Sequence, residues 1–140
     1  MTIKKLTMNA VIENSVLEAS VIRSLVRWHG GWSEFKEIAR DISNYGANTG
    51  ISFIYHADMR ESFKANAPAL KRWVSEMSLD YDKGVLEMLQ GWRGIGSIYT
   101  LDEIATALYT GRGDAVDSVY STIIYAAVED LANTIVSMVD

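Results

Sequence analysis

No cysteine occurs in the 140 residues, which removes disulfides, thiolate zinc sites, iron–sulfur clusters and thiol nucleophiles together. Proline occurs once, at Pro68, and histidine only at His29 and His56. A catalytic zinc site needs three protein ligands, and His56 with Asp58 supplies at most two in one place. HExxH, GxSxG and EF-hand spacings are all absent. Neither a metal centre nor a Ser-His-Asp triad is expected, and no cofactor is implied. No apolar run has the length of a membrane span. Lys4 and Lys5 are followed by Glu13 before any apolar core of signal-peptide length, so a cytoplasmic protein is expected.

Positive charge is scarce in the second half of the chain. Residues 1–70 carry eight Lys/Arg against seven Asp/Glu, residues 71–140 five against eleven, for a net charge of -5. From Gly94 onward Arg112 is the only cation, facing Asp102, Glu103, Asp114, Asp117, Glu129, Asp130 and Asp140. An acidic C-terminal third disfavours direct nucleic-acid binding and suits a basic protein surface. A solvated face is the plainer alternative.

What is present is an ordinary globular composition, 49% hydrophobic and 22% charged, enough for one domain spanning 1–140. Apolar spacing and punctuation predict an all-α fold of five to seven helices. A first helix covers 16–28, with Ser15 and Glu18 in capping-box form and Leu17, Val21, Leu25 and Trp28 inward. A second starts at Ser33 and stops at Gly46. A short one runs from Asp58 to about Ala65, and Pro68 opens the next at its first position, before a break over Ser78 to Gly84. Val85 to Trp92 forms a shorter element ended by the glycines of GWRGIGS. Thr100 and Glu103 make a capping box for a helix closed by Gly111, and Asp114 caps a long, central C-terminal helix. No charge falls between Asp117 and Glu129 in that helix, so it is either central to the fold or the seam of a homodimer.

Several motifs invite function. In Gly46-Ala47-Asn48-Thr49-Gly50 no Lys follows the second glycine, so the phosphate-loop pattern fails at the residue that reaches phosphate. Ile51 to Tyr55 is the one place where a short strand fits. Arg93 and Ser97 within GWRGIGS could hold an anion, but helix breaking and close packing explain those glycines equally well. Arg112-Gly113-Asp114 spells an adhesion tripeptide, with Asp114 better used as a helix cap. Trp73 and Trp92 fall on apolar stripes, whereas Trp32, Tyr45, Tyr55 and Tyr99 lie at element ends, where exposed rings anchor protein partners. The best residual catalytic grouping is Tyr55, His56, Asp58 and Arg60, and no enzyme is expected from it.

Ile12-Glu13-Asn14-Ser15, Ser20-Val21-Ile22, the Gly46 to Gly50 step, Phe53-Ile54-Tyr55 with Asp58, and Ala126 to Ala132 together resemble a family of small uncharacterised proteins encoded by tailed bacteriophages. The likeness spans most of the chain and departs after Asp58, where Met59-Arg60-Glu61-Ser62-Phe63 replaces an aromatic-rich continuation. The resemblance implies an accessory protein acting in the cytoplasm of an infected bacterium, and carries no catalytic residues. The expected function is therefore a helical binding protein that inhibits a host protein, such as a component of CRISPR interference or restriction. The alternative is a self-assembling or virion-associated structural protein. Partner contacts are expected from Asp102, Glu103, Asp114 and Asp117, at the starts of the last two helices, and from Trp32, Tyr45 and Tyr99.

Overall fold

Every regular element in the computed structural model, which describes residues 2–47, 56–80 and 84–139, is helical. Eight α-helices occur among these residues: α1 (Met8–Asn14), α2 (Ala19–Trp28), α3 (Trp32–Tyr45), α4 (His56–Ala65), α5 (Ala67–Asp80), α6 (Val85–Gly91), α7 (Leu101–Thr110) and α8 (Val116–Ser137). Tight 3-10 turns lie at Ile3–Lys5 and Trp92–Ser97. The fold is thus all-α with a long C-terminal helix, and it has one helix more than the upper count predicted. The addition is α1, capped by Thr7, whose side chain accepts from the Ala10 backbone N–H at 3.2 Å. Asn48 to Tyr55, and with them the possible strand at Ile51 to Tyr55, lie outside the described residues.

Helix boundaries follow local chemistry, with instructive departures. Ser15 does not cap α2; its hydroxyl accepts from Leu17 N at 3.1 Å in a local turn, and the helix opens only at Ala19. Ser33 already lies within α3, whose cap is Gly31. Pro68 is the second residue of α5, where its missing N–H is still one of the four that a helix leaves unpaired. Helix α5 extends into the predicted break as far as Asp80, and α6 ends at Gly91 as the glycines of GWRGIGS predict, with Trp92–Ser97 continuing as a 3-10 turn. At Thr100 the capping box is complete: Glu103 N donates to Thr100 Oγ1 at 3.2 Å, and Thr100 N donates to Glu103 Oε1 at 3.0 Å. Gly111 closes α7 at φ 69°, a left-handed conformation that costs a side-chain-bearing residue energy.

The chain forms two compact units, one of Met1–Ile54 with Tyr125–Asp140, the other of Tyr55–Ile124. In the first, Val21, Ile22, Leu25 and Val26 of α2, Phe35, Ala39 and Ile42 of α3, and Leu131, Ala132 and Ile135 of α8 are buried. Their three- and four-residue spacing is that of amphipathic helices. Trp28 departs from the predicted stripe and is 41% exposed, because α2 ends there. Trp32 Nε1 donates to the Leu6 carbonyl at 3.0 Å, and Lys36 Nζ lies over its ring and donates to the Lys4 carbonyl at 3.0 Å. The end of α3 is tied to α8 twice. Ser43 Oγ donates to Asn133 Oδ1 at 2.7 Å, and Ala47 N donates to Glu129 Oε1 at 3.0 Å.

In the second unit Phe63, Leu70, Trp73, Val74, Leu89, Ile95, Ile104 and Leu108 are buried with the first half of α8. Residues 119 to 124 of α8 are all buried, more than one helical turn, so no face of this stretch is left to water. The missing charge between Asp117 and Glu129 has a physical cause here, since an unpaired charge buried on such a helix is costly.

Candidate functional site: an acidic groove

The capping box that starts α7 puts two carboxylates in its first turn, Asp102 and Glu103, where they also complement the positive end of the helix. One turn on, Thr106 continues the Asp102 face. After Gly111 the chain turns back through Gly113 and Asp114 before α8 opens at Val116, so Ala115 borders that helix and Asp114 is not its cap. Asp102, Glu103, Thr106, Gly113 and Asp114 consequently line one open groove of about 260 Å³. All five are exposed, and no cation is among them. Tyr99 stays half-buried and its hydroxyl donates to the Asp114 carbonyl at 3.5 Å, which holds the turn against the start of α7.

Asp117 does not join its three neighbours in the groove. Its Oδ1 lies 2.6 Å from Arg60 Nη2, with the two side chains 42% and 39% exposed, so its charge is offset within the unit. Arg60 approaches from α4, where Phe63 stacks on Tyr120 with centroids 4.1 Å apart. Burial pushes the Tyr120 hydroxyl above the usual phenol range, and the Arg60 charge pulls the other way. Tyr55 and the side chains of His56 and Asp58 lie outside the described residues, so of that grouping only Arg60 has a described role, in this ion pair.

The aromatic candidates separate too. Tyr45, at the end of α3, is 77% exposed, whereas Trp32 is half-buried and pinned to Leu6. Both belong to the first unit. Sequence reasoning missed Thr106, Gly113 and Tyr109, the last 61% exposed on α7. The i, i+4 relation of Asp102 to Thr106 was a usable signal. The return of Gly113 and Asp114 to that face depends on the turn and was not visible in the sequence.

Two titratable groups of the first unit are half-buried. His29 Nδ1 donates to the Leu25 carbonyl at 2.7 Å, its ring meets Phe35 edge-on, and burial lowers its pKa against the opposing effect of that hydrogen bond. It serves the end of α2. On α8, Asp130 Oδ2 is buried without a hydrogen-bond partner among the described residues, and burial pushes its carboxyl above the usual range. The folded chain therefore binds this proton more tightly than the unfolded chain, so stability falls as pH rises from the unfolded value of about 3.9 through the raised one. Asp130→Asn should raise the melting temperature by a few degrees at pH 7, with the gain vanishing as pH falls below about 4. Melting curves at both pH values check this, and an equal effect at the two would exclude a charge-burial cost.

The arrangement is that of a helical protein with an open groove lined by three carboxylates on one unit. Among the described residues no group of three or more His, Asp or Glu could hold a metal ion, and no helix is long and apolar enough to cross a membrane. The chain belongs to the family described as a domain of unknown function (DUF7222), which its residues 9–140 match. No curated protein and no solved structure matches it.

Proposed function

We propose that the protein is a binding protein whose acidic groove docks a basic surface of another protein, and that this docking inhibits a host component in a phage-infected bacterium. The single observation that carries the docking reading is the convergence of Asp102, Glu103 and Asp114 on one open groove with no cation among the residues that line it. Clustered carboxylates attract an oppositely charged surface over roughly a Debye length, about 8 Å at physiological salt. Their effect falls chiefly on the association rate. The resemblance to small phage proteins supplies the setting, the cytoplasm of the host. The class of target, a component of antiviral defence such as CRISPR interference or restriction, is part of the proposal itself.

The test is charge reversal at the two groove residues whose carboxylates make no ion pair or hydrogen bond among the described residues. Glu103 closes the capping box and Asp117 pairs with Arg60, so both are left alone. A partner is first captured from defence-equipped host cells and identified by mass spectrometry. Asp102→Lys with Asp114→Lys should then slow its association about tenfold or more at low salt, less at high salt, with helicity unchanged. The same variant should restore defence activity in infected cells. Unchanged association rates with unchanged salt dependence would remove the groove from the binding surface.

A further inference from the structure

Carboxylates alone suit any soluble cation; what selects a particular kind of partner is the apolar ridge beside them. Leu101, Ala105 and Tyr109 recur every four residues along α7, over roughly 12 Å of helix. Rows spaced in this way form the ridges by which helices pack against one another. Here the ridge is at least partly open: Leu101 is 40% and Tyr109 61% exposed, Ala105 is half-buried, and Ile98, three residues ahead of Leu101, is 72% exposed. Asp102 and Thr106 form the adjacent four-residue row, and that row lines the acidic groove. The opposite face of α7, through Ile104, Ala107 and Leu108, is buried, so the rows of Leu101 and Asp102 turn away from that core.

We infer that the occupant of this face is a basic amphipathic helix of the partner protein. Its apolar side packs along Leu101, Ala105 and Tyr109, and its lysine or arginine side chains reach the carboxylates of Asp102, Glu103 and Asp114. An arginine has the further option of lying on the Tyr109 ring, where a guanidinium gains from the aromatic face. This inference rests on the docking role proposed for the groove and adds the shape of what docks there. A disordered basic tail would use the carboxylates and leave the ridge idle, whereas a helix uses both.

The full chain, isotope-labelled for NMR, is titrated with two peptides of equal length and equal positive charge. One is a Leu/Lys sequence patterned as an amphipathic helix, and the other carries serine in place of every leucine. The Leu/Lys peptide is expected to bind about tenfold tighter, shifting the amides of 101–110 and 113–114. Leu101→Ser with Tyr109→Ser should abolish that preference and leave the Ser/Lys affinity where it was, with an unchanged circular dichroism spectrum. Equal affinity for the two peptides overturns the helix inference while the acidic-groove reading stands. A preference that survives the double substitution also overturns it, since the apolar contact then lies elsewhere. If neither peptide binds, the inference and the groove reading fall together.

Discussion

Replacing Phe63 with alanine should remove about 3–5 kcal/mol from the unfolding free energy, the largest loss expected of any single substitution considered for this chain. The Phe63 ring is fully buried, at 0% exposure, and lies nearly parallel to Tyr120 with an interplanar angle of 12°. Truncation would lose the transfer energy of the ring, leave a cavity, and forfeit a stacking contact of about 0.5–1.5 kcal/mol beyond area burial. It would also release the stretch of α4 that brings Arg60 to Asp117. That ion pair is partly exposed, so it contributes modestly and follows the packing more than it enforces it. Urea denaturation of Phe63→Ala and Phe63→Leu measures the effect, with the leucine variant expected to recover about half of the loss by filling part of the cavity. A loss below about 1.5 kcal/mol for alanine would mean that α4 does not pack on Tyr120 in this way.

Gly96→Ala is expected to cost about 1–3 kcal/mol for a different reason. A Cβ at this position would collide with Gln90 Cγ and lie 2.7 Å from the Gln90 carbonyl oxygen. The side-chain contact can be relieved by rotation. The carbonyl belongs to the last turn of α6 and cannot move without opening the join between α6 and the 3-10 turn. The control is Gly91→Ala, five residues earlier, where an added methyl meets nothing within 4 Å and the backbone is right-handed helical. That substitution should be neutral or stabilising by up to about 1 kcal/mol. Thermal melts of the pair separate close approach from conformational preference, and similar changes in both would discount the contact with Gln90.

These residues show which parts of the fold were readable in one dimension. The Thr100–Glu103 capping box was legible because both partners fall within one helical turn, and Gly111 because a left-handed helix end favours glycine. The stripes of α2, α3 and α5 were legible because burial on one face imposes a three- or four-residue rhythm on the sequence. Helix α1 escaped because Thr7 caps it without an acidic residue three positions on. Ser15 misled because a hydroxyl serves a local turn as readily as a helix start. The acidic site was half legible: the carboxylates of α7 could be located from their cap, but nothing near Asp117 in sequence announces Arg60, which lies 57 positions away on α4. The groove therefore retains three of the four carboxylates anticipated for it, and gains Tyr109 at its side.

The hydrogen bonds from Ala47 to Glu129 and from Ser43 to Asn133 join residues 82 and 90 positions apart. The unit they close is assembled from residues 1–54 and 125–140, while the acidic groove belongs to the unbroken stretch 55–124. During synthesis the middle unit has all of its residues outside the ribosome first, whereas the N-terminal helices must wait for the closing half of α8 to emerge. Until then the apolar faces of α2 and α3 lack the cover of Leu131, Ala132 and Ile135, and their exposure is set by the pace of translation, not by their own stability. The unit that carries the acidic groove is consequently complete first, and the unit that contains α2 and α3 is completed last.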